Sequence, residues 1–268
     1  MTLRALIWDV DGTLAETERD GHRVAFNQAF AAAGLPWRWD ERRYGELLAV
    51  SGGHERLLHD MATRADAPAM PAAREALARA LHRRKTAAYA ALVARGAIGL
   101  RRGVLRLLGE ARSAGARQAI ATTTSRANVQ ALLSRHLGVR WADAWTAVVC
   151  ADDAPLKKPH PMAYAVALER LRLAPHQALA IEDSPNGLAA AHAAGVPTLV
   201  THSAYFASFD TRHALACSAD LDLPPTPAAT LPAVTAAPRV DWRWLCAAHA
   251  AWQRAQPAEA GSRSQSAY

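Results

Sequence analysis

Short apolar runs and longer amphipathic stretches alternate along most of this chain. Five mostly apolar runs predict β-strands, at residues 3–8, 118–121, 146–150, 178–181 and 197–201. From residue 103 onward these runs alternate with stretches whose apolar residues recur every three or four positions, which predicts helices. One of these predicted helices, at residues 126–137, follows Ser125 as candidate N-cap and ends before Gly138. Such alternation is typical of a doubly wound parallel sheet, so we expect an α/β, Rossmann-like core.

The segment between the first two predicted strands has a different pattern. Between residues 16 and 93 the apolar residues keep a helical spacing, and no run predicts a strand. The predicted helices cover residues 25–33, 41–49, 54–65 and 70–93, the last as one helix or two. We therefore expect an all-helical cap domain at residues 16–93, inserted into a core domain formed by residues 1–15 and 94–222.

The end of the chain changes composition twice. Residues 223–238 are rich in Pro, Ala and Thr, which predicts a flexible linker. Residues 239–256 predict a C-terminal helix whose tryptophans, among them Trp244 and Trp252, need a surface to pack on. Residues 257–268 are expected to form a disordered tail.

Composition and charge exclude several classes of protein. With 51% hydrophobic residues the chain is expected to be globular, and no run of about 18 uncharged apolar residues predicts a membrane span. Three widely spaced cysteines do not form a disulfide framework, and no signal peptide precedes the first strand, so we expect a cytoplasmic monomer. The net charge of +7 comes from scattered arginines, which favours attraction of anionic metabolites over binding of nucleic acid.

The first predicted strand ends in the sequence Asp-Val-Asp-Gly-Thr. Because side chains alternate along a strand, Asp9 and Asp11 point to the same side, and Gly12 allows a sharp turn. Two adjacent carboxylates suit a divalent metal ion, or a nucleophile paired with an acid/base. Taken alone, an Asp-x-Asp pair at a strand end more often only caps the following turn.

Three further polar groups follow later predicted strands. Thr122 follows the second strand, Lys158 lies beyond the third, and Glu182 and Asp183 follow the fourth. A hydroxyl near a helix start, a lysine and two carboxylates suit phosphate and metal binding. Each alone has an ordinary interpretation, respectively a helix cap, a solvated loop and an acidic strand end. Together and in this order they predict one site at the carboxyl edge of the sheet.

These residues make the sequence resemble the haloacid dehalogenase (HAD) superfamily of aspartate-nucleophile phosphatases. The resemblance implies a Rossmann-like HAD core with a helical cap, in which Asp9 is the nucleophile and Asp11 the general acid and base. It implies that Thr122 and Lys158 complete the catalytic set. It also implies Mg²⁺ as cofactor, with the metal candidates Asp9, Asp11, Asp183 and Glu182.

Other motifs are similar to those of the CbbY-type phosphatases within this superfamily. They read DVDGTLAETE, SGGHER, HRRKT, ATTTS and KKPHPMAY. The resemblance implies hydrolysis of the sugar phosphate xylulose-1,5-bisphosphate, a misfire product that inhibits rubisco of the Calvin cycle. It suggests the substrate-binding candidates Glu16, Ser51, Gly52, Gly53, His54, Arg56, Lys85, Thr123 and Thr124. The chain departs from the family pattern at His54, where a lysine is expected, and at Arg102, where a proline is expected.

Three other functions remain open on the sequence alone. A phosphosugar mutase of the β-phosphoglucomutase kind shares the scaffold and returns the phosphoryl group to sugar rather than water. A phosphoglycolate phosphatase or a generalist monoesterase needs no second anion site in the cap. A binding protein without activity could use the same fold, although the complete set Asp9, Asp11, Lys158 and Asp183 argues against it.

Overall fold

A seven-stranded sheet organises the part of the chain described by this computed structural model, residues 2–229, 231 and 234–256. In spatial order the strands are β3 (Ala147–Val149), β2 (Arg117–Ala121), β1 (Ala5–Trp8), β4 (Ala178–Glu182), β5 (Thr198–Thr201), β6 (Ala216–Ser218) and β7 (Thr226–Pro227). Neighbouring strands run parallel except β6 and β7. The chain leaves β1 in one direction and returns to its other side at β4, which places a ligand-binding crevice at their carboxyl ends.

The described residues form nine α-helices, of which those after residue 100 pack around this sheet. They are α1 (Arg23–Ala32), α2 (Glu41–Leu47), α3 (Gly53–Thr63), α4 (Pro71–Ala94), α5 (Val104–Ser113), α6 (Arg126–Leu137), α7 (Met162–Leu171), α8 (Pro185–Ala193) and α9 (Trp242–Ala255). On β1, Leu6 and Trp8 belong to one buried cluster, whereas Ala5 and Ile7 belong to a second. The period-two alternation of a strand therefore supplies both faces, and the α/β fold with a doubly wound sheet is confirmed.

Helices α1 to α4 and the π-helical turn Glu18–His22 that precedes them form a block that we call the cap. Its own aromatic cluster includes Phe26, Phe30 and Trp39, with Trp39 4.7 Å from Phe26 and 4.9 Å from Phe30 between ring centroids. Aromatic burial of this size gives the cap a hydrophobic core distinct from the two clusters of the sheet. Helix α4 is continuous and carries Tyr89 and its neighbours onto the core as well.

The two connections between cap and core lie side by side. Ala15, in the first connection, forms an isolated antiparallel bridge with Leu100 in the second. The backbone N–H of Arg101 donates to Leu14 O at 2.8 Å. The chain thus enters and leaves the cap at one place on the core.

The region after β5 differs from the sequence prediction. The expected linker at 223–238 contains β7, which pairs with β6, and Leu231 and Val234 pack against the core. Burial of these few apolar side chains fixes a stretch whose composition alone predicts flexibility. Strands of two and three residues are too short to show a period, which is why β6 and β7 were not predicted.

Helix α9 packs on the core through one apolar face. Trp244, Leu245 and Ala248 belong to the main buried cluster, as the predicted tryptophan-rich helix requires. Arg106 of α5 donates to Val240 O at 2.9 Å just before the helix begins. The predicted disordered tail at 257–268 lies outside the described residues. None of the described helices combines the length and the hydropathy needed to cross a membrane.

Candidate active site

Asp9 follows β1 at the switch point of the sheet and is only 6% exposed. Its backbone N–H donates to Ile181 O at 3.0 Å, which continues the pairing of β1 with β4 for one residue. Gly12 then turns the chain with φ of +87°, and a Cβ there would lie 2.0 Å from Asp183 Oδ2. Only glycine fits this conformation and this distance, so the turn brings the carboxylates of Asp9 and Asp183 together.

Lys158 is the centre of the buried polar network. Its Nζ donates to Asp9 Oδ1 at 2.6 Å, to Glu182 Oε1 at 2.6 Å and to Ala121 O at 2.8 Å. Burial alone would lower the pKa of Lys158, but Asp9 and Glu182 raise it above its ordinary value. The ammonium therefore stays charged at the carboxyl ends of three adjacent strands.

Glu182 is fully buried and has several hydrogen-bond donors. Besides Lys158 it accepts from Tyr164 Oη at 2.5 Å and from the N–H of Asp183 at 3.2 Å. A Cβ on Gly187 would lie 1.9 Å from Glu182 Oε2, so the first turn of α8 closes over this carboxylate. These contacts make Glu182 a residue that positions Lys158, and they leave Asp183 as the freer carboxylate.

Asp9, Glu182 and Asp183 offer carboxylate oxygens that lie within 4.8 Å of one another. Burial raises the pKa of Asp9 to about 8, against the opposing effect of Lys158. Burial, Asp9 and Glu182 together raise the pKa of Asp183 well above its ordinary value. Carboxylates this crowded need more positive charge than one lysine supplies to be ionised near neutral pH. A buried, all-oxygen donor set of this kind fits a hard divalent cation.

Asp11 has the opposite electrostatic environment. Its Oδ1 accepts from Thr17 Oγ1 at 2.6 Å and lies 3.0 Å from His22 Nε2. Although burial acts to raise it, these two partners and Lys85 lower the pKa of Asp11 to about 2. Two carboxylates separated by one residue therefore have pKa values displaced in opposite directions. A nucleophilic Asp9 and a proton-donating Asp11 need the reverse order, so a bound cation would have to lower the pKa of Asp9 and a bound phosphate dianion would have to raise that of Asp11. His22 lies on the π-helical turn, and sequence reasoning missed it because a lone histidine on a helix carries no signal.

Three threonines, Thr122 to Thr124, follow β2 at the same edge of the sheet. Thr122 Oγ1 accepts from the N–H of Thr124 at 3.2 Å, and Thr124 Oγ1 accepts from Asn128 Nδ2 at 3.0 Å. Ser125 caps α6 as predicted, with its side chain accepting from the Asn128 N–H. Backbone and hydroxyl donors thus gather at the start of α6, where an anion would be favoured.

A cavity of about 370 Å³ separates the cap from these strand ends. The predicted residues that line it are Asp11, Gly52, Gly53, His54, Arg56, Lys85, Thr123 and Thr124. Lining residues that the sequence did not single out include Glu18, His22, His82 and Lys157. The cavity joins the catalytic edge of the sheet to the cationic part of the cap.

Arg56 and Lys85 are both nearly buried, at 5% and 4% exposure. Arg56 Nη1 donates to Tyr44 Oη at 2.7 Å and lies 3.6 Å from the carboxylate of Glu18. Lys85 Nζ lies 5.1 Å from the ring centroid of Phe26, and burial lowers the pKa of Lys85 to about 8. Two cations held next to aromatic rings at one end of a cavity form a site for a negatively charged group.

Seven predicted site residues do not line this cavity: Asp9, Lys158, Glu182 and Asp183, which belong to the buried network described above, and Glu16, Ser51 and Thr122. Glu16 points toward the loop after β5, where Ala204 N–H donates to it at 3.3 Å, and it does not line the cavity. Ser51 Oγ accepts from Asn186 Nδ2 at 3.2 Å, which joins the cap to the first turn of α8. Thr122 is also absent from the cavity lining, because the residue is only 1% exposed.

Arg101 was not predicted, although it holds several loops of the site. Its guanidinium donates to Gly12 O, to Thr201 O at 3.0 Å, to His202 O at 2.6 Å and to Ala219 O at 2.7 Å. One side chain thus fixes the turn after Asp9 against the loops that follow β5 and β6. An arginine in a Gly-Leu-Arg-Arg-Gly stretch gives no sequence signal for this role.

Comparisons with known proteins agree with this geometry. Residues 3–195 match the family of haloacid dehalogenase-like hydrolases. Protein CbbY from a plasmid of Cupriavidus necator is 48% identical over 205 residues, which cover 76% of this chain and 80% of that protein. The crystal structure of CbbY from Rhodobacter sphaeroides with phosphate has a TM-score of 0.76 at 40% identity, covering 82% of this chain and 95% of that one. A mutant of the same protein with xylulose-(1,5)bisphosphate gives the same TM-score at 39% identity and the same coverage.

Proposed function

Since this chain belongs to the haloacid dehalogenase-like hydrolases and, within them, to the CbbY proteins, we propose that it hydrolyses xylulose-1,5-bisphosphate to xylulose 5-phosphate. The observation that carries the proposal is the single cavity that connects Asp11 to the buried cations Arg56 and Lys85. A substrate with a phosphate at each end matches this pairing of a reactive edge with a second cationic site. A relative bound to this bisphosphate supports the same substrate.

Asp9 attacks the phosphorus in the proposed reaction and forms an aspartyl-phosphate, while Asp11 protonates the departing sugar oxygen. Asp11 then removes a proton from the water that attacks the aspartyl-phosphate, and inorganic phosphate leaves. At about 4 Å and an effective dielectric near 20, each pair of unit charges repels by about 4 kcal/mol, so Asp9 and a phosphate dianion repel by about 8 kcal/mol. Lys158 Nζ donates a hydrogen bond to Asp9 Oδ1 at 2.6 Å, and its positive charge offsets part of this repulsion.

Mg²⁺ is the proposed cofactor, with Asp9, Asp183 and the backbone carbonyl of Asp11 as its protein ligands. It supplies positive charge to the phosphoryl oxygens when bound. The raised pKa values of Asp9 and Asp183 support this assignment, because a cation would stabilise both carboxylates in their ionised form. Glu182 serves instead to hold Lys158.

His22 and Thr17 hold the side chain of Asp11 toward the cavity, so the acid/base is oriented before substrate arrives. Closure of the cap excludes water from the aspartyl-phosphate until Asp11 can activate one molecule. By this proposal the enzyme removes a bisphosphate that inhibits rubisco. A cytoplasmic location belongs to the same proposal and is supported by the three unpaired cysteines, which suit a reducing compartment. The proposal also takes the protein to be a monomer.

The test is phosphate release from a panel of xylulose-1,5-bisphosphate, ribulose-1,5-bisphosphate, phosphoglycolate and β-glucose 1-phosphate, with Mg²⁺ and with a chelator. We expect a kcat/KM for the xylulose bisphosphate at least tenfold above the other substrates, and no release after chelation. Equal turnover of all four compounds would contradict the substrate assignment. Conversion of β-glucose 1-phosphate to an isomeric sugar phosphate without phosphate release would identify a mutase.

Lys85→Met is expected to raise KM for the bisphosphate by about 10- to 100-fold, because a hydrogen bond to a charged group contributes about 1.5–3 kcal/mol. Methionine keeps the length of the side chain near Phe26 and removes only the charge. The kcat for phosphoglycolate, which has no second phosphate, is expected to change less than threefold. Steady-state kinetics on both substrates measure the difference, and Arg83→Gln on the exposed face of α4 is the matched control. An unchanged KM for the bisphosphate would remove Lys85 from the second anion site.

A further inference from the structure

Two polar contacts join one loop of the cap to the core. Asn186 Nδ2, at the start of α8, donates to Ala49 O at 3.4 Å and to Ser51 Oγ at 3.2 Å. On the other side of the loop, Lys157 Nζ forms an ion pair with Glu55 Oε1. Because both contacts bridge cap and core, the structure is a closed form in which residues 49–56 lie against the strand ends.

The ion pair has a particular position relative to the catalytic residues. Lys157 immediately precedes Lys158, which contacts Asp9, and Glu55 immediately precedes Arg56 in the cationic part of the cap. Both Lys157 and Glu55 line the cavity. One contact therefore connects the segments that hold the two ends of the substrate.

Gly52 provides a second observation at the same place. Its φ is +95°, and a Cβ on it would lie 2.2 Å from Glu55 Oε2 and 2.5 Å from Lys157 Nζ. The loop backbone thus passes directly against the ion pair, at a position that only glycine allows. The backbone that would offer N–H groups to the substrate is therefore packed against this ion pair.

The charges of the pair are matched to each other. Although partial burial acts to raise it, the hydrogen bond from Lys157 lowers the pKa of Glu55. The two side chains are 23% and 42% exposed, so solvent weakens the attraction without removing it. Such a pair is weak enough to break for product release and strong enough to favour the closed cap when substrate bridges the cavity.

We propose that Lys157 and Glu55 are a positioning pair that holds the substrate loop of the cap, residues 49–56, against the core while the bisphosphate is bound. The pair acts through Arg56 and the loop backbone rather than on the reacting phosphate. This inference rests on the proposed function for its kinetic part. Its structural part, a loop protected by an ion pair, holds for the protein without substrate.

The experiment removes and then exchanges the charges of Lys157 and Glu55. Glu55→Gln and Lys157→Met each remove one charge, and the double variant Glu55→Lys/Lys157→Glu restores an ion pair with the signs exchanged. We expect each single variant to raise KM for xylulose-1,5-bisphosphate by about threefold to fivefold, which corresponds to about 0.65–1 kcal/mol, the upper part of the range for a solvent-exposed pair. We expect the exchanged pair to return KM to within twofold of the parent. Arg140→Gln, which breaks an exposed ion pair with Asp143 outside both segments, is the matched control.

Amide hydrogen exchange of residues 49–56 is measured on the same full-length proteins without substrate. We expect exchange to be about three times faster in both single variants and restored in the exchanged pair. If this pattern appears but no variant, nor the parent, hydrolyses the bisphosphate, the pair is supported and the proposed substrate fails. Parental KM and parental exchange in the single variants would overturn the pair. Impaired single variants with no recovery in the exchanged pair would also overturn it, because the side chains would then act separately.

Discussion

Asp9→Asn is expected to lower kcat for phosphate release by about 10⁴-fold or more, since loss of a covalent nucleophile removes the reaction path itself. The asparagine fits the same space and can still accept a hydrogen bond from Lys158, so the fold should persist. Phosphate release under single-turnover conditions with Mg²⁺ measures the loss. Asp143→Asn, at an exposed position, is the control that makes the same chemical change away from the site. Residual activity within tenfold of the parent would contradict the role of Asp9 as nucleophile.

The stability of Asp9→Asn is expected to depend less on pH than that of the parent. The pKa of Asp9 is raised to about 8 in the folded protein and is near 3.8 in the unfolded chain. The folded state therefore binds more protons between these values, and the metal-free parent loses stability as pH rises from about 4 through 8. Asp9→Asn lacks this contribution, so its Tm is expected to fall less over that range. Thermal unfolding of both proteins with a chelator present measures the difference.

Lys158→Met is expected to reduce both activity and stability. Without the ammonium, the carboxylates of Asp9 and Glu182 stay buried with no cation between them, which costs about 3–5 kcal/mol for a broken buried pair. For a protein of this size that corresponds to a fall in Tm of roughly 6–15 °C at neutral pH. We expect kcat to fall by about 10³-fold, because the repulsion between Asp9 and the phosphate is no longer offset.

The stability loss in Lys158→Met should depend on pH in a defined direction. Lys158 lowers the pKa of Asp9, which burial raises to about 8 in the parent, so without the ammonium the pKa of Asp9 rises further and the folded variant keeps this proton where the folded parent loses it. The difference in Tm from the parent is therefore expected to be smaller at pH 6 than at pH 9, because Asp9 ionises between these values in the folded parent and not in the folded variant. A difference that is equal at both pH values would point to lost packing rather than to unpaired charge.

The sequence predicted most of the fold because its signals were local. Helix α6 begins and ends as predicted, since Ser125 and Gly138 mark its ends with specific capping chemistry. The core site residues also follow from local pattern, because carboxylates and a lysine directly after parallel strands must share one edge of the sheet. Strands β6 and β7 were missed because strands of three and two residues are too short to show a period.

Residues that act across long sequence separations were the ones that sequence reasoning did not find. Arg101 gathers backbone carbonyls from three loops, and Tyr164 reaches Glu182 from α7, the helix that precedes β4. Glu16 was expected at the substrate, yet the structure places Glu18 in the cavity and Glu16 on Ala204. A helical turn with π geometry displaces the side chains of this segment, and no periodicity in the sequence indicates such a turn.

The bridge between Ala15 and Leu100 has a consequence for how this enzyme could diversify. Because the two ends of the cap meet at one point on the core, the whole cap behaves as an insert with adjacent termini. An insert of this kind, with its own aromatic core, can be exchanged for another without changing the register of any strand. Transplanting the cap between relatives should therefore move substrate preference as a single module while the catalytic edge of the sheet stays intact.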